Sequence, residues 1–121
     1  MTTNAGYVTT HVLDTSLGKP ASNLKIDVSR VENDGLHKLR VVITNADGRC
    51  DQPVIRDDEI CVATYELLFH AGDYLDRIVG RTQTPRFLDR IPIRFTIGDP
   101  NQHYHVPLLL SPYGYSTYRG S

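Results

Sequence analysis

Two histidines near the C-terminal end of the chain, His103 and His105, are separated by a single residue. On an extended strand, residues two apart point to the same side, so both imidazoles leave one face. Such a pair can chelate zinc or copper, or one ring can move protons while the other is only its neighbour. Because no Cys, Asp or Glu stands at a recognisable ligand spacing, we expect no metal site.

Two further side chains are suited to chemistry. His11 lies in a run typical of a first strand, on the same face as Thr9 and Leu13, although a strand histidine by itself is more often a packing or surface residue. Arg49 follows the turn sequence Asn-Ala-Asp-Gly. An arginine there is ordinarily solvated, but its guanidinium can also hold a planar, oxygen-rich ligand through two parallel hydrogen bonds.

The chain ends on Tyr118, Arg119, Gly120 and Ser121, after several further tyrosines. Chain termini are usually frayed, but a disordered end has no use for so many aromatic residues. The pattern predicts a last strand with Arg119 and Ser121 on one face and Tyr118 on the other. Gly120 would allow a close approach of the backbone.

The elements that must position these residues have a dominant period of two. Four runs alternate in this way, and each predicts a half-buried strand with one apolar face. The apolar members are Leu24, Ile26 and Val28; Leu39, Val41 and Ile43; Cys61, Ala63, Tyr65, Leu67 and Phe69; and Ile91, Ile93, Phe95 and Ile97. Short strands separated by regular turn signals indicate an all-β fold, an antiparallel β-sandwich.

One segment breaks this alternation. Four apolar residues at helical spacing predict a short helix over residues 72–80, after the fifth strand, with Asp73 capping its start and Gly80 ending it. These apolar residues are Tyr74, Leu75, Ile78 and Val79.

Length and composition limit the classes of function. The 121 residues predict a single domain, residues 1–121, and the net charge of −1 without a basic stripe disfavours nucleic acid. The apolar runs are too short for a membrane helix, and no signal peptide is evident. Cys50 and Cys61 are expected to be reduced thiols, and the protein to be cytoplasmic. His37 and His70 are expected to be solvated near turns.

Three sequence blocks resemble the 5-hydroxyisourate hydrolases, the transthyretin-related enzymes of purine breakdown. The last block is His-Val-Pro-Leu-Leu-Leu-Ser-Pro from His105 onward, with the terminal Tyr-Arg-Gly-Ser. The others are Thr-His-Val-Leu-Asp around His11 and Thr-Asn-Ala-Asp-Gly-Arg up to Arg49. The resemblance spans nearly the whole chain. It implies a transthyretin-like sandwich of two four-stranded sheets with one short helix after the fifth strand.

The resemblance also implies a function and a site. The substrate would be 5-hydroxyisourate, in which one lactam C–N bond is hydrolysed to give 2-oxo-4-hydroxy-4-carboxy-5-ureidoimidazoline without any cofactor. The implied catalytic residues are His11, His105, Arg49 and Ser121. The implied substrate-binding residues are Arg49, Tyr118, Arg119, Gly120 and His103. Which histidine is the general base is left open.

The family forms homotetramers with sites in clefts between dimers, so the resemblance implies the same assembly for this chain. We expect one strand face to present His11, His105 and Arg119 toward another subunit. Two alternatives come from other classes of protein. The first is a transthyretin-like carrier of small molecules, since a fold alone does not decide function. The second is a metal-binding sandwich module that uses His103 and His105.

Overall fold

The computed structural model of this protein describes residues 4–80 and 85–120. In these ranges the chain forms eight β-strands and one α-helix, which directly follows the fifth strand. The strands are β1 (Tyr7–Asp14), β2 (Lys19–Pro20), β3 (Lys25–Glu32), β4 (Gly35–Ile43), β5 (Ala63–His70), β6 (Arg90–Ile97), β7 (His103–Ser111) and β8 (Gly114–Thr117). The helix, α1, spans Ala71–Val79. The prediction of an all-β fold with one short helix after the fifth strand is confirmed.

The strands form two four-stranded sheets. The first sheet has the order β2-β1-β7-β8 and the second sheet the order β4-β3-β5-β6. All pairs are antiparallel except β1 with β7, which run parallel. Parallel neighbours require a long crossover connection, and here the chain builds the second sheet before β7 returns to β1. The predicted antiparallel sandwich of two four-stranded sheets is confirmed, with this one parallel pair.

The hydrophobic core lies between the two sheets. The alternation predicted for the fifth and sixth strands is confirmed, because Tyr65, Leu67, Phe69, Ile91 and Ile97 are almost completely buried. Burial of a large apolar side chain stabilises a fold by about 1.5–3 kcal/mol. The core therefore fixes the position of the two sheets relative to each other. The outward faces of the sheets can carry side chains that are not part of the core.

The apolar face predicted for β4 is confirmed only at Leu39, which packs against the core. Val41 and Ile43 are 44% and 56% exposed, whereas Val42 packs against the core. The register of β4 on β3 shifts between Val28 and Ser29. A β-bulge puts two consecutive residues of one strand opposite one residue of the other. Strict alternation therefore breaks at this point, and the residues beyond it change sides.

The helix starts one residue earlier than predicted, at Ala71, with His70 in the N-cap position and no side-chain capping hydrogen bond. Asp73 lies in the first turn instead of capping it, where a carboxylate still interacts favourably with the helix dipole. Gly80 ends the helix with φ +79°, as predicted. Within residues 4–80 and 85–120, no helix has the length and hydropathy needed to cross a bilayer.

A buried hydrogen bond ties α1 to the end of β1. The hydroxyl of Tyr74 donates to Oδ2 of Asp14 at 2.7 Å, and the backbone N–H groups of Ser16 and Leu17 each donate to Oδ1 at 3.1 Å. Burial opposes ionisation of this carboxyl, but the hydrogen bonds from Tyr74 and Ser16 outweigh it and hold the pKa of Asp14 below its usual value. These contacts fix the end of the strand that carries His11.

His70 is buried, so the prediction that it is solvated was wrong. Its ring is at the end of β5, and Nε2 lies 3.2 Å from Oδ1 of Asp27 on the neighbouring strand β3. Burial raises the pKa of Asp27, but His70 and Lys38 lower it by more, so the carboxylate stays charged. His37 is exposed, as predicted.

Candidate active site

The loop after β4 brings Arg49 against β1. The backbone N–H groups of Asp47 and Arg49 donate to Oδ1 of Asn45 at 2.9 and 3.1 Å, which closes the loop on itself. Gly48 has φ +73°, and a Cβ atom there would collide with the carbonyl oxygen of Val12. The glycine thus permits both the left-handed turn and the close approach to β1 that Arg49 needs.

His11 and His105 leave the same outward face of the first sheet. The parallel register places Thr9 opposite His105 and His11 opposite Pro107. Thr9 and His11 share a face because they are two apart on β1, and Oγ1 of Thr9 lies 2.9 Å from Nδ1 of His105. Arg49 pairs with His11 through an isolated antiparallel bridge. The structure therefore brings the two histidines and this arginine to one side of the sandwich.

The end of the chain returns to β7. The last strand ends at Thr117, so the prediction that Tyr118, Arg119 and Gly120 continue it was wrong. Beyond it, Gly120 forms an isolated bridge with His105, and its N–H donates to the carbonyl oxygen of His105 at 2.7 Å. A Cβ atom at Gly120 would lie only 2.6 Å from Cδ2 of that imidazole. Ser121 lies outside the described residues.

These side chains surround one open depression of about 470 Å³. The volume falls in the range of small-molecule sites. The lining combines imidazole, guanidinium, hydroxyl and aromatic groups, and it consists of Tyr7, Thr9, Thr10, Arg49, Cys50, His103, His105, Tyr118 and Gly120. His11 adjoins the depression through its pairing with Arg49.

Both predicted catalytic histidines have lowered pKa values. For His105 the causes are burial, then the positive charge of Arg49 and the neighbouring rings of His103 and His11. For His11 burial and Arg49 lower the pKa, and the backbone and carboxylate of Asp47 partly oppose them. Both rings are therefore neutral at pH 7. A neutral imidazole has a free nitrogen lone pair and can accept a proton from water.

Two residues of the pocket, Tyr7 and Thr9, were missed by the sequence analysis as functional residues. Oγ1 of Thr9 lies 2.6 Å from Nε2 of His103 as well as 2.9 Å from Nδ1 of His105. The ring of Tyr7 stacks on His103, with centroids 4.4 Å apart and planes inclined by 18°. The sequence analysis placed Thr9 on the same face as His11, but the contact of Thr9 with His105 depends on the parallel register.

Arg119 does not join His11 and His105, so the prediction that the three share a face was wrong. Its guanidinium lies 4.2 Å above the ring of Tyr104 and donates to Oε1 of Gln102 at 2.7 Å. It lines a second cavity, of about 410 Å³, between the sheets. The other lining residues are Ile93, Arg94, Phe95, Thr96, Gly98, Tyr104, Val106, Thr117 and Tyr118. Arg119 thus holds the chain end from the side opposite the histidines.

Among the described residues around the pocket that contains His105, there is neither a thiolate nor a metal cluster. Burial, with a smaller contribution from Asp51, raises the pKa of the Cys50 thiol to about 11, so the thiol is protonated at neutral pH and a weak nucleophile. In the two described ranges, no three His, Cys, Asp or Glu side chains are grouped as a metal would require. The groups that remain for chemistry are the imidazoles and Arg49.

Comparison with known proteins assigns this chain to a family. The sequence profile of the HIUase/Transthyretin family matches residues 8–120, which is almost the whole chain. The chain belongs to this family. A family member from Rhizobium meliloti, 5-hydroxyisourate hydrolase 2, is 56% identical over 117 residues, covering 97% of this chain and 98% of the relative.

Two solved structures also resemble this chain. The 5-hydroxyisourate hydrolase of Klebsiella pneumoniae has 36% sequence identity and a TM-score of 0.78, covering 95% of this chain and 99% of that one. An (S)-allantoin synthase has 42% identity and a TM-score of 0.91 over 99% of this chain. This chain spans 45% of the length of that synthase chain. The transthyretin-like fold expected from the sequence is confirmed.

Proposed function

We propose that this protein hydrolyses 5-hydroxyisourate to 2-oxo-4-hydroxy-4-carboxy-5-ureidoimidazoline. The observation that carries the proposal is the meeting of His11, Arg49 and His105 on one face of the first sheet, beside an open pocket. Membership of the family, and the names of relatives that match over nearly their whole length, supply the substrate. A pocket lined by imidazole and guanidinium groups suits a small polar heterocycle better than an apolar hormone.

In this proposal His105 is the general base. Its Nδ1 faces the hydroxyl of Thr9, which leaves Nε2 to accept a proton from water. The water oxygen attacks the lactam carbonyl carbon, Nε2 takes the proton, and negative charge develops on the carbonyl oxygen. Arg49 stabilises that charge. The C–N bond then breaks, and the leaving nitrogen receives from Nε2 of His105 the proton that this ring took from the water.

Other predicted site residues have supporting roles in the proposal. Tyr118 and His103 line the pocket and would contact the substrate ring, while Gly120 lets the chain end pack against the imidazole of His105. Arg119 would act indirectly, because its contacts with Tyr104 and Gln102 anchor the chain end. Ser121, which follows Gly120 in the sequence, would orient water or substrate through its hydroxyl.

An ultraviolet assay tests the proposed function. Urate and urate oxidase generate 5-hydroxyisourate in the cuvette, and its absorbance decays slowly without a catalyst. Addition of this protein should accelerate the decay in proportion to its concentration. Decay at the spontaneous rate would contradict the proposal. Tight binding of an apolar phenol without any hydrolysis would support a carrier instead.

The dependence of activity on pH should report the lowered pKa values of the two histidines. Because the neutral imidazole is the active form, kcat/KM should fall on the acid side with a midpoint below 6.5, the ordinary pKa of histidine. Replacing Arg49 with Gln removes a positive charge that disfavours the imidazolium, so the midpoint should move up toward 6.5. A midpoint at or above 6.5 in the unchanged protein would contradict the proposed base.

Gly120→Ala should reduce kcat by about tenfold to a hundredfold, since a displacement of about 1 Å in a catalytic group can cost 10²-fold. The added methyl group would meet the ring of His105, which must shift or rotate. Gly98→Ala is the matched control, because a Cβ atom there has open space around it. Steady-state kinetics of both variants would check this, and equal activity would mean that the ring has room to move.

We also propose that the protein is a cytoplasmic homotetramer whose sites lie at the interface between dimers. Support comes from the open pocket on the outward face of the first sheet, next to the half-exposed apolar pair Leu13 and Leu109. A second subunit over this face would bury the leucines and close the site. Size-exclusion chromatography with light scattering should give four times the chain mass, and an active monomer would contradict the assembly.

A further inference from the structure

The hydroxyl of Thr9 lies between two imidazoles. It is 2.6 Å from Nε2 of His103 and 2.9 Å from Nδ1 of His105, both within hydrogen-bonding distance. A hydroxyl has one proton to donate and lone pairs to accept with. If Oγ1 donates to one of the two neutral rings, the other ring must donate to Oγ1, because the hydroxyl has a single proton. The protonation of one ring is therefore linked to that of the other.

We infer that Thr9 is a positioning residue for the proposed hydrolysis, which fixes the tautomer of His105 and passes its proton to His103. This inference rests on the proposed function, which sets the direction of the proton transfer. Nε2 of His105 keeps its lone pair for water when Nδ1 carries the ring proton and donates it to Oγ1. The relay requires in addition that Oγ1 donates to Nε2 of His103.

The proton transfers balance in a simple sequence. When Nε2 of His105 takes a proton from water, the ring becomes an imidazolium. The Nδ1–H bond of His105 then breaks as Oγ1 of Thr9 accepts that proton, and the O–H bond of Thr9 breaks as Nε2 of His103 accepts the other. His105 ends neutral, Thr9 is again a hydroxyl, and His103 carries the positive charge. The two transfers reverse when the leaving nitrogen takes the proton from Nε2 of His105.

The surroundings favour the charge on His103 over His105. The imidazolium of His105 is opposed by burial and by the guanidinium of Arg49, which also lower its pKa. His103 is exposed to solvent, and Tyr7 stacks on it with ring centroids 4.4 Å apart. An aromatic face attracts a cation. Movement of the charge by two residues along β7, from His105 to His103, therefore takes it away from Arg49 and toward water and Tyr7.

Thr9→Val tests the inference, with Thr9→Ser as the variant that keeps the hydroxyl. Valine suits a strand and has nearly the same shape, so folding should be retained. We expect kcat to fall about tenfold to a hundredfold with little change in KM. This is smaller than the roughly 10⁴-fold effect of the aspartate that fixes a histidine tautomer in serine proteases, because a hydroxyl carries no charge. Thr9→Ser should retain activity within about threefold of the unchanged protein, since it preserves the hydrogen bonds.

Nitrogen NMR of the histidine rings gives a readout that does not depend on turnover. In the unchanged protein and in Thr9→Ser, His105 should be present as the Nδ1–H tautomer. In Thr9→Val the Nε2–H tautomer should appear. Thr64→Val, which removes a hydroxyl from the Thr64–Thr96 pair on the second sheet, is the control and should leave His105 unchanged. An Nε2–H tautomer of His105 in the unchanged protein would overturn the inference.

A double-mutant cycle with His103→Phe tests the relay itself. Phenylalanine keeps a ring to stack on Tyr7 but cannot accept a proton. If the two residues act in one chain, the double variant with Thr9→Val should be no slower than the slower single variant. Losses that multiply would overturn the relay. If the unchanged protein showed no hydrolase activity at all, the proposed function would fail, and the tautomer measurement would still decide the role of Thr9.

Discussion

His105→Ala should lower kcat/KM for 5-hydroxyisourate by about 10²–10⁴-fold, the usual contribution of a positioned general base. The fold should survive the change. The ring is half-buried, and its removal costs the hydrogen bond with Thr9, which is worth about 1 kcal/mol. For a chain of this length, that loss lowers Tm by roughly 3–6 °C. The decay assay and a thermal unfolding scan measure the two effects separately.

His37→Ala provides the matched control for this variant. His37 is an exposed histidine on β4, in the other sheet, so its loss should change neither the rate nor Tm. If His105→Ala retained a third of the activity, His105 could not be the base, and His11 would become the candidate. If both histidine variants lost activity together with their cooperative unfolding transition, the effect would be structural.

Arg49→Ala should reduce kcat/KM by about 10²–10³-fold, the cost of removing one donor to a developing oxyanion. Arg49→Lys should recover only part of this loss. A lysine keeps the positive charge but cannot make the planar two-point contact of a guanidinium. The loop itself should remain in place, because the backbone N–H groups of Asp47 and of residue 49 bind Asn45 whichever side chain is present at 49.

The control for Arg49 is Arg30→Lys. Arg30 binds Glu32 at the end of β3, on the second sheet, and the change should leave the rate unaltered. An Arg49→Lys variant with the full rate would show that charge alone is sufficient at this position. It would remove the argument for two-point recognition of the substrate.

Local sequence patterns predicted most of the fold because most strands obey them. Tyr65, Leu67 and Phe69 alternate without interruption and face the core as expected, although Glu66 and His70 on the other face of the strand are also buried. The alternation was a poor guide at β4. Val41, Val42 and Ile43 are consecutive apolar residues, so the strand could turn either Val42 or its two neighbours toward the core. The bulge opposite Val28 then decided which phase faces the core. A bulge depends on the partner strand, and a single run of residues does not encode it.

The candidate site was predicted where a residue's position follows from its own strand or motif. His11 and His105 are on one face as expected, but the direction of Arg119 depends on where the chain goes after Thr117. Once regular pairing stops, alternation no longer says which way a side chain points. The burial of His70 depends on Asp27, which lies across the sheet. Contacts between distant segments decided each of these outcomes.

The parallel pairing of β1 with β7 has a consequence for how the protein is made. The hydrogen bond between Thr9 and His105 joins residues 96 positions apart, and Gly120 must also be in place before the ring of His105 is enclosed. Contacts between such distant residues carry a large loop-closure cost and form late in folding. During synthesis on the ribosome, β1 therefore cannot pair with β7 until β7 has emerged. A nascent chain that ends before residue 103 would contain both Arg49 and His11 without any active site.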